Sequence, residues 1–147
     1  MTTTAPLADA RTLGLAHYAA RAVLESVLSR YDLTFAQNTA LRFAALADGP
    51  VTRDEIADGV TGSIRTGTAE AHRLVDELLA GGFLAADGPS RIRLTASGRA
   101  VYDAYSAEVQ EISARIWAGL SPEDRAAAGR VLAHVTERAE AELAARA

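Results

Sequence analysis

Apolar residues recur at spacings of three and four along most of this chain, a period that predicts helices. Between residues 7 and 32, Leu13, Ala16, Ala20, Leu24, Val27, Leu28 and Tyr31 share one face, which predicts a single long helix over Leu7–Asp32. Thr34 and Gln37 then carry the signature of a capping box: the hydroxyl accepts from an orphan amide and the glutamine reaches back. The helix they start has Leu41, Ala44, Ala45 and Ala47 available to pack, and it stops at Asp48-Gly49-Pro50. Thr52 and Glu55 form a second capping box, opening a short helix with Ile56 and Ala57 inward that is expected to reach about Gly59. Val60–Gly67 is rich in turn formers and is expected to be a turn. From Thr68 a further helix aligns Ala71, Leu74, Val75, Leu78 and Leu79, with Glu70, His72, Arg73, Asp76 and Glu77 on its other faces, and Gly81-Gly82 ends it.

The period then changes. Phe83-Leu84-Ala85-Ala86 reads as a strand, Asp87-Gly88-Pro89-Ser90 as a turn, and Arg91-Ile92-Arg93-Leu94 alternates as a half-buried strand does. Thr95 caps another helix, with Val101, Tyr105, Val109, Ile112 and Ile116 as its seam. Ser121-Pro122-Glu123-Asp124 starts the last helix with a capping serine, a first-turn proline and two acids on the positive end of the dipole. The final helix carries Ala128, Val131, Leu132, Val135, Ala139 and Leu143. A short helix, a turn, an amphipathic helix and a small hairpin make a winged helix-turn-helix. The expected fold is therefore mainly α with a small β wing, a single domain over 1–147 with its winged-helix core at 34–99 and long flanking helices at 7–32 and 99–145.

Composition narrows the chemistry. Apolar residues make up 49% of 147, a globular content. There is no cysteine, which excludes disulfides and thiolate chemistry, and His17, His72 and His134 are too widely spaced for a metal-ligand pattern. No glycine-rich nucleotide loop follows a strand, so no cofactor and no enzyme activity are expected. No apolar run approaches the roughly 20 residues of a membrane span. The first residues resemble no signal peptide, so a cytoplasmic protein without a membrane partner is expected. Net charge is −4, but residues 61–99 carry five arginines (65, 73, 91, 93 and 99) against four acids (70, 76, 77 and 87). That local balance permits double-stranded DNA as a partner.

A helix anchored on its inner face can lie in the major groove and offer its outer groups to base edges. Thr68, Ala69, His72 and Arg73 are the candidates for this. For His72 the competing reading is a solvated surface histidine, and for Arg73 a surface ion pair with Glu70 or Glu77. Arg65, Thr66 and Thr68, at the start of the helix, are candidates for phosphate contact, with helix capping as the alternative for the threonines. Amides at the Thr52 helix start are a further candidate for phosphate contact. Arg91, expected at the hairpin tip, is placed for a minor groove, with Arg93 beside it.

Several of these segments together resemble the MarR family of bacterial regulators: Leu33-Thr34 with Gln37, Gly49-Pro50-Val51-Thr52, Glu55-Ile56-Ala57, Leu74-Val75-Asp76-Glu77-Leu78, Gly82-Phe83-Leu84, Leu94-Thr95 with Gly98, and Leu120-Ser121-Pro122-Glu123-Asp124. The similarity spans about residues 7–145. It implies a homodimer built by the first, fifth and last helices, a palindromic operator, and repression released by a small aromatic or phenolic effector. Thr68–Ala80 would be the recognition helix and Arg91 the wing arginine. His17, Tyr18, Arg21 and Arg42 are candidates to line the effector pocket, with interface and core packing as their alternative role. Two departures stand out: the hairpin is several residues shorter than the family's wing, and the Thr61–Gly67 turn is expected to be longer and richer in glycine. A winged-helix interaction module that has lost DNA binding is the alternative these departures raise.

Overall fold

The structure, a computed structural model, describes residues 4–147. It comprises α1 (Ala10–Leu28), α2 (Phe35–Leu46), β1 (Val51–Thr52), α3 (Arg53–Ile64), α4 (Thr68–Ala80), β2 (Leu84–Asp87), β3 (Arg91–Leu94), α5 (Ala96–Ile116) and α6 (Pro122–Ala144). The chain forms two compact units. One runs up to Gln110 and the other is Glu111–Ala147, so α5 starts in the first and ends in the second.

In the first unit, α1 is shorter than its periodicity predicts. Asp9 caps it by accepting from the Thr12 amide, and it ends at Leu28 in a single 3₁₀ turn, Ser29–Tyr31. Asp32 is left-handed there, with φ 55°. That reversal turns the chain into α2, which opens on the expected capping box between Thr34 and Gln37.

The expected turn over Thr61–Gly67 is overturned. The second capping box, Thr52 with Glu55, opens α3, and the helix continues through Thr61, Gly62 and Ser63 to Ile64. Weak helix formers hold this conformation because the helix is packed: Val60 is fully buried, and the Phe43 ring of α2 lies over Gly59. Arg65, left-handed at φ 55°, closes α3, and the connection to α4 is only Arg65–Gly67. The helix-turn-helix therefore has a short turn, and that departure from the resemblance disappears.

Helix α4 buries Ala71, Leu74, Val75 and Leu78 against α2 and α3. It ends as Gly81-Gly82 predicts. Gly82 is left-handed at φ 77°, while the Phe83 amide donates to the Leu78 carbonyl at 3.0 Å and the Gly82 amide to that of Leu79 at 3.2 Å. These bonds satisfy carbonyls that the helix end leaves open. The wing has one strand more than expected. It is antiparallel in the order β1-β3-β2, with Val51 opposite Ile92 and Ala86 opposite Ile92 on the other side. Ile92 points into the core and Arg91 and Arg93 point out, as alternation requires.

The core of this unit joins Leu28, Leu41, Ile56, Leu74, Leu78 and Leu84. In the second unit, α6 starts as predicted, with the Ser121 hydroxyl accepting from the Asp124 amide. The Arg125 guanidinium stands 5.4 Å from the centre of the Trp117 ring. Val131, Leu132, Val135 and Leu143 remain exposed along α6, as do Leu13, Leu15 and Tyr18 along α1.

Candidate nucleic-acid interface and adjoining cavity

The outer face of α4 is presented by its buried inner stripe. Gly67 is the N-cap, and no side chain accepts from the first-turn amides. Thr66 and Thr68 therefore do not cap the helix; Thr68 and Ala69 lie exposed at its start and Thr66 is half-buried. Thr52 is engaged internally: its hydroxyl accepts from the Glu55 amide at 3.1 Å, and its own amide donates to the Glu55 carboxylate at 2.6 Å. These bonds from Thr52, with a smaller contribution from Arg91, hold the Glu55 carboxyl below its ordinary range. The start of α3 is thus already occupied by the chain's own anion.

His72 turns toward α3 rather than straight outward. Its Nε2 lies 3.8 Å from Asp54 Oδ1, its Nδ1 is buried without a hydrogen-bond partner, and its carbonyl accepts from Arg53 Nη1 at 3.3 Å. Arg53 also pairs with Asp76 at 2.7 Å. Arg73 is exposed but occupied. Its Nε donates to Glu70 Oε2 at 2.8 Å, its Nη2 pairs with Glu70 Oε1, and its Nη1 pairs with Glu77 Oε1. Glu70 is held below the usual carboxylate range by Arg73.

Arg91 is the first residue of β3 and does not sit at the tip, which is Gly88-Pro89-Ser90. Its Nη1 donates to the Pro50 carbonyl at 2.7 Å, so the side chain folds back over β1. Arg93, two residues on, is exposed, and its side chain has no hydrogen bond or ion pair among the described residues. Arg65 is drawn into the end of α3 as its left-handed cap.

The first unit also contains a cavity of about 650 Å³. Leu24, Phe35, Phe43, Leu46 and Ile64 make it apolar, and Asn38, Thr39, Arg42 and Ser63 give it polar groups. A second cavity, of about 370 Å³, shares Leu24, Asn38, Arg42 and Leu46 and reaches Tyr102 and Tyr105. Of the four residues proposed for an effector pocket, Arg42 lines both cavities. Arg21 stacks on Phe35, a lining residue, at 4.4 Å and pairs with Glu25 at 2.9 Å. His17 and Tyr18 line neither cavity; they pack edge-on against each other on exposed α1. Sequence reading missed Asn38 and Phe43. The Thr34–Gln37 box fixes the phase of α2, and Asn38 and Arg42 stand one helical turn apart on it.

No family profile and no curated sequence matches the chain. Solved structures do, across most of its length. One is Staphylococcus aureus MarR in complex with salicylate and kanamycin, with a TM-score of 0.77 at 16% identity, covering 90% of each chain. Its fold is that of the MarR-family regulators. The same fold recurs in MepR, a transcription regulator of the S. aureus multidrug efflux pump MepA (TM-score 0.65, 18% identity, 92% of this chain and 98% of that one). It recurs again in a Mycobacterium tuberculosis MarR-family protein solved with p-aminosalicylic acid (TM-score 0.63, 23% identity, 90% of this chain and 99% of that one). In the MarR fold, α3 and α4 are the helix-turn-helix and β1–β3 the wing.

Proposed function

We propose that this protein is a DNA-binding transcriptional regulator, a homodimeric repressor that reads a palindromic operator and is released by a small aromatic or phenolic acid. One observation carries the reading. The exposed face of α4, with open first-turn amides at Thr68–Glu70, is followed directly by a wing whose outer face bears Arg91 and Arg93. Open amides at a helix start attract phosphate, and outward arginines on a wing suit a minor groove. In this reading α4 carries Thr68, Ala69, His72 and Arg73 toward the major groove, and Arg65 and Thr66 lie beside it.

The exposed apolar residues of α1 and α6 support a dimer, because such faces are normally covered by a partner. The cavity supports an effector. Its apolar walls suit an aromatic ring and Arg42 suits a carboxylate, the chemistry of the salicylate and p-aminosalicylic acid found with structurally similar proteins.

A second reading, a winged-helix interaction module without DNA binding, has its own support. Over α3 to α4, Arg53, Arg65 and Arg73 stand against Asp54, Glu55, Asp58, Glu70, Asp76 and Glu77. A gel shift with the DNA upstream of the protein's own gene separates the two. The regulator binds a specific segment in a salt-sensitive manner, and Arg91→Ala weakens binding and lowers the salt slope by about one. Absence of sequence-selective binding at low salt favours the interaction module.

A further inference from the structure

Helix α4 carries a single arginine, and the fold presents it already bound to anions. All three nitrogens of the Arg73 guanidinium donate to carboxylates of its own helix, two to Glu70 and one to Glu77. Glu77 is itself anchored. Gln37 Nε2 of α2 donates to its other oxygen at 2.8 Å, while Gln37 Oε1 accepts from the Thr34 amide at 3.0 Å. An exposed ion pair is ordinarily weak because ordering two long side chains cancels the attraction. Here much of that ordering is already done, since the Glu70 pair is two-pronged and Glu77 is fixed from α2.

Resting on the DNA-binding reading above, we infer that Glu70 and Glu77 are specificity-determining residues that compete with DNA phosphate for Arg73. A guanidinium that leaves two carboxylates for one phosphate gains little, and it leaves Glu70 unpaired and Glu77 with Gln37 alone, two anions on the helix that would meet the duplex. Non-specific DNA is therefore held off. A site that offers those carboxylates donors, as the cytosine amino group does in the major groove, recovers the loss. Discrimination comes from the penalty on wrong sequences rather than from added attraction to the right one.

Fluorescence anisotropy with a labelled mixed-sequence duplex, over a series of salt concentrations, tests this. The full-length Glu70→Gln/Glu77→Gln variant keeps the size of both side chains and one acceptor oxygen on each but loses both charges. It is expected to bind about tenfold more tightly than the parent, with a salt slope steeper by about one. Glu70→Gln alone, which leaves the Gln37–Glu77 bond untouched, is expected to give part of the gain. In an Arg73→Ala background the gain should shrink well below that in the parent, because only the repulsion of the two acids is left to relieve and there is no arginine to release. A parent protein that binds the duplex while the variants bind no better overturns the clamp and leaves the DNA reading standing. A gain that persists undiminished without Arg73 overturns it too, since the acids then act by bulk repulsion. Failure of the parent and every variant to bind overturns the DNA reading and the clamp together.

Discussion

Gly98 lies against the carbonyl oxygen of Phe83, where a Cβ would stand 2.2 Å from that atom. The same carbonyl accepts from the Thr95 amide at 3.0 Å, and the Thr95 hydroxyl accepts from the Gly98 amide at 2.9 Å. The first turn of α5 is thus fitted onto the start of the wing, backbone against backbone. Gly98→Ala must push α5 away from Phe83, and an overpacking cost of about 2 kcal/mol is expected. Thermal denaturation should show a Tm lower by roughly 5–10 °C. An unchanged Tm would mean that α5 can slide off the wing without cost.

Tyr105 gives an alkaline signature. It is buried, its hydroxyl donates to Asn38 Oδ1 at 2.8 Å, and burial pushes its ionisation well above the ordinary value of 10. A raised pKa in the folded state means that the unfolded chain gives up this proton first. The contribution of Tyr105 to stability is therefore complete below about pH 10 and declines as pH rises beyond it. Tyr105→Phe should cost about 1 kcal/mol at neutral pH and flatten the alkaline slope in denaturant titrations. A slope identical to the parent's would assign the alkaline loss to other groups.

Arg42 is placed to decide anion binding in the cavity. Salicylate in large excess over its Kd should stabilise the parent by about 2–3 kcal/mol, read as a rise in Tm. Arg42→Gln, at an exposed position on α2, should leave the unliganded Tm near that of the parent and lose most of the rise. Equal shifts in both proteins would place the ligand elsewhere.

The dimer is tested on α6. Leu132 and Val135 are exposed large apolar residues one turn apart, and Leu132→Asp should convert a dimer to a monomer in sedimentation velocity. A parent that sediments as a monomer at micromolar concentration would remove these faces from consideration.

What was legible in the sequence was mostly local. The two capping boxes, the Gly81-Gly82 stop and the Ser121 start all stand as read, because each is settled by residues within one helical turn. The length of α3 was not legible. Thr61, Gly62 and Ser63 disfavour helix, and what holds them is burial of Val60 and the approach of Phe43 to Gly59, contacts that depend on α2. Strand β1 has two residues, too few to show alternation. Within the candidate interface, the residue types on α4 were readable but their partners were not. Arg73 was read with two alternatives open, and only geometry shows that both of its carboxylates engage it together. Asp87 was read as the first residue of the turn, whereas it ends β2 and pairs with Arg91, which closes the wing below the tip.

That closing pair has a consequence for how this chain can change over time. Everything beyond Asp87 and Arg91 is the exposed Gly88-Pro89-Ser90, and the pairing of β3 with both its neighbours is complete below it. Residues inserted there meet no core atom and break no ladder bond, and the cost of lengthening a loop grows only slowly. The tip of the wing is thus open to growth, a place where a longer or more basic reach can be gained, or lost, while the rest of the fold stays as it is.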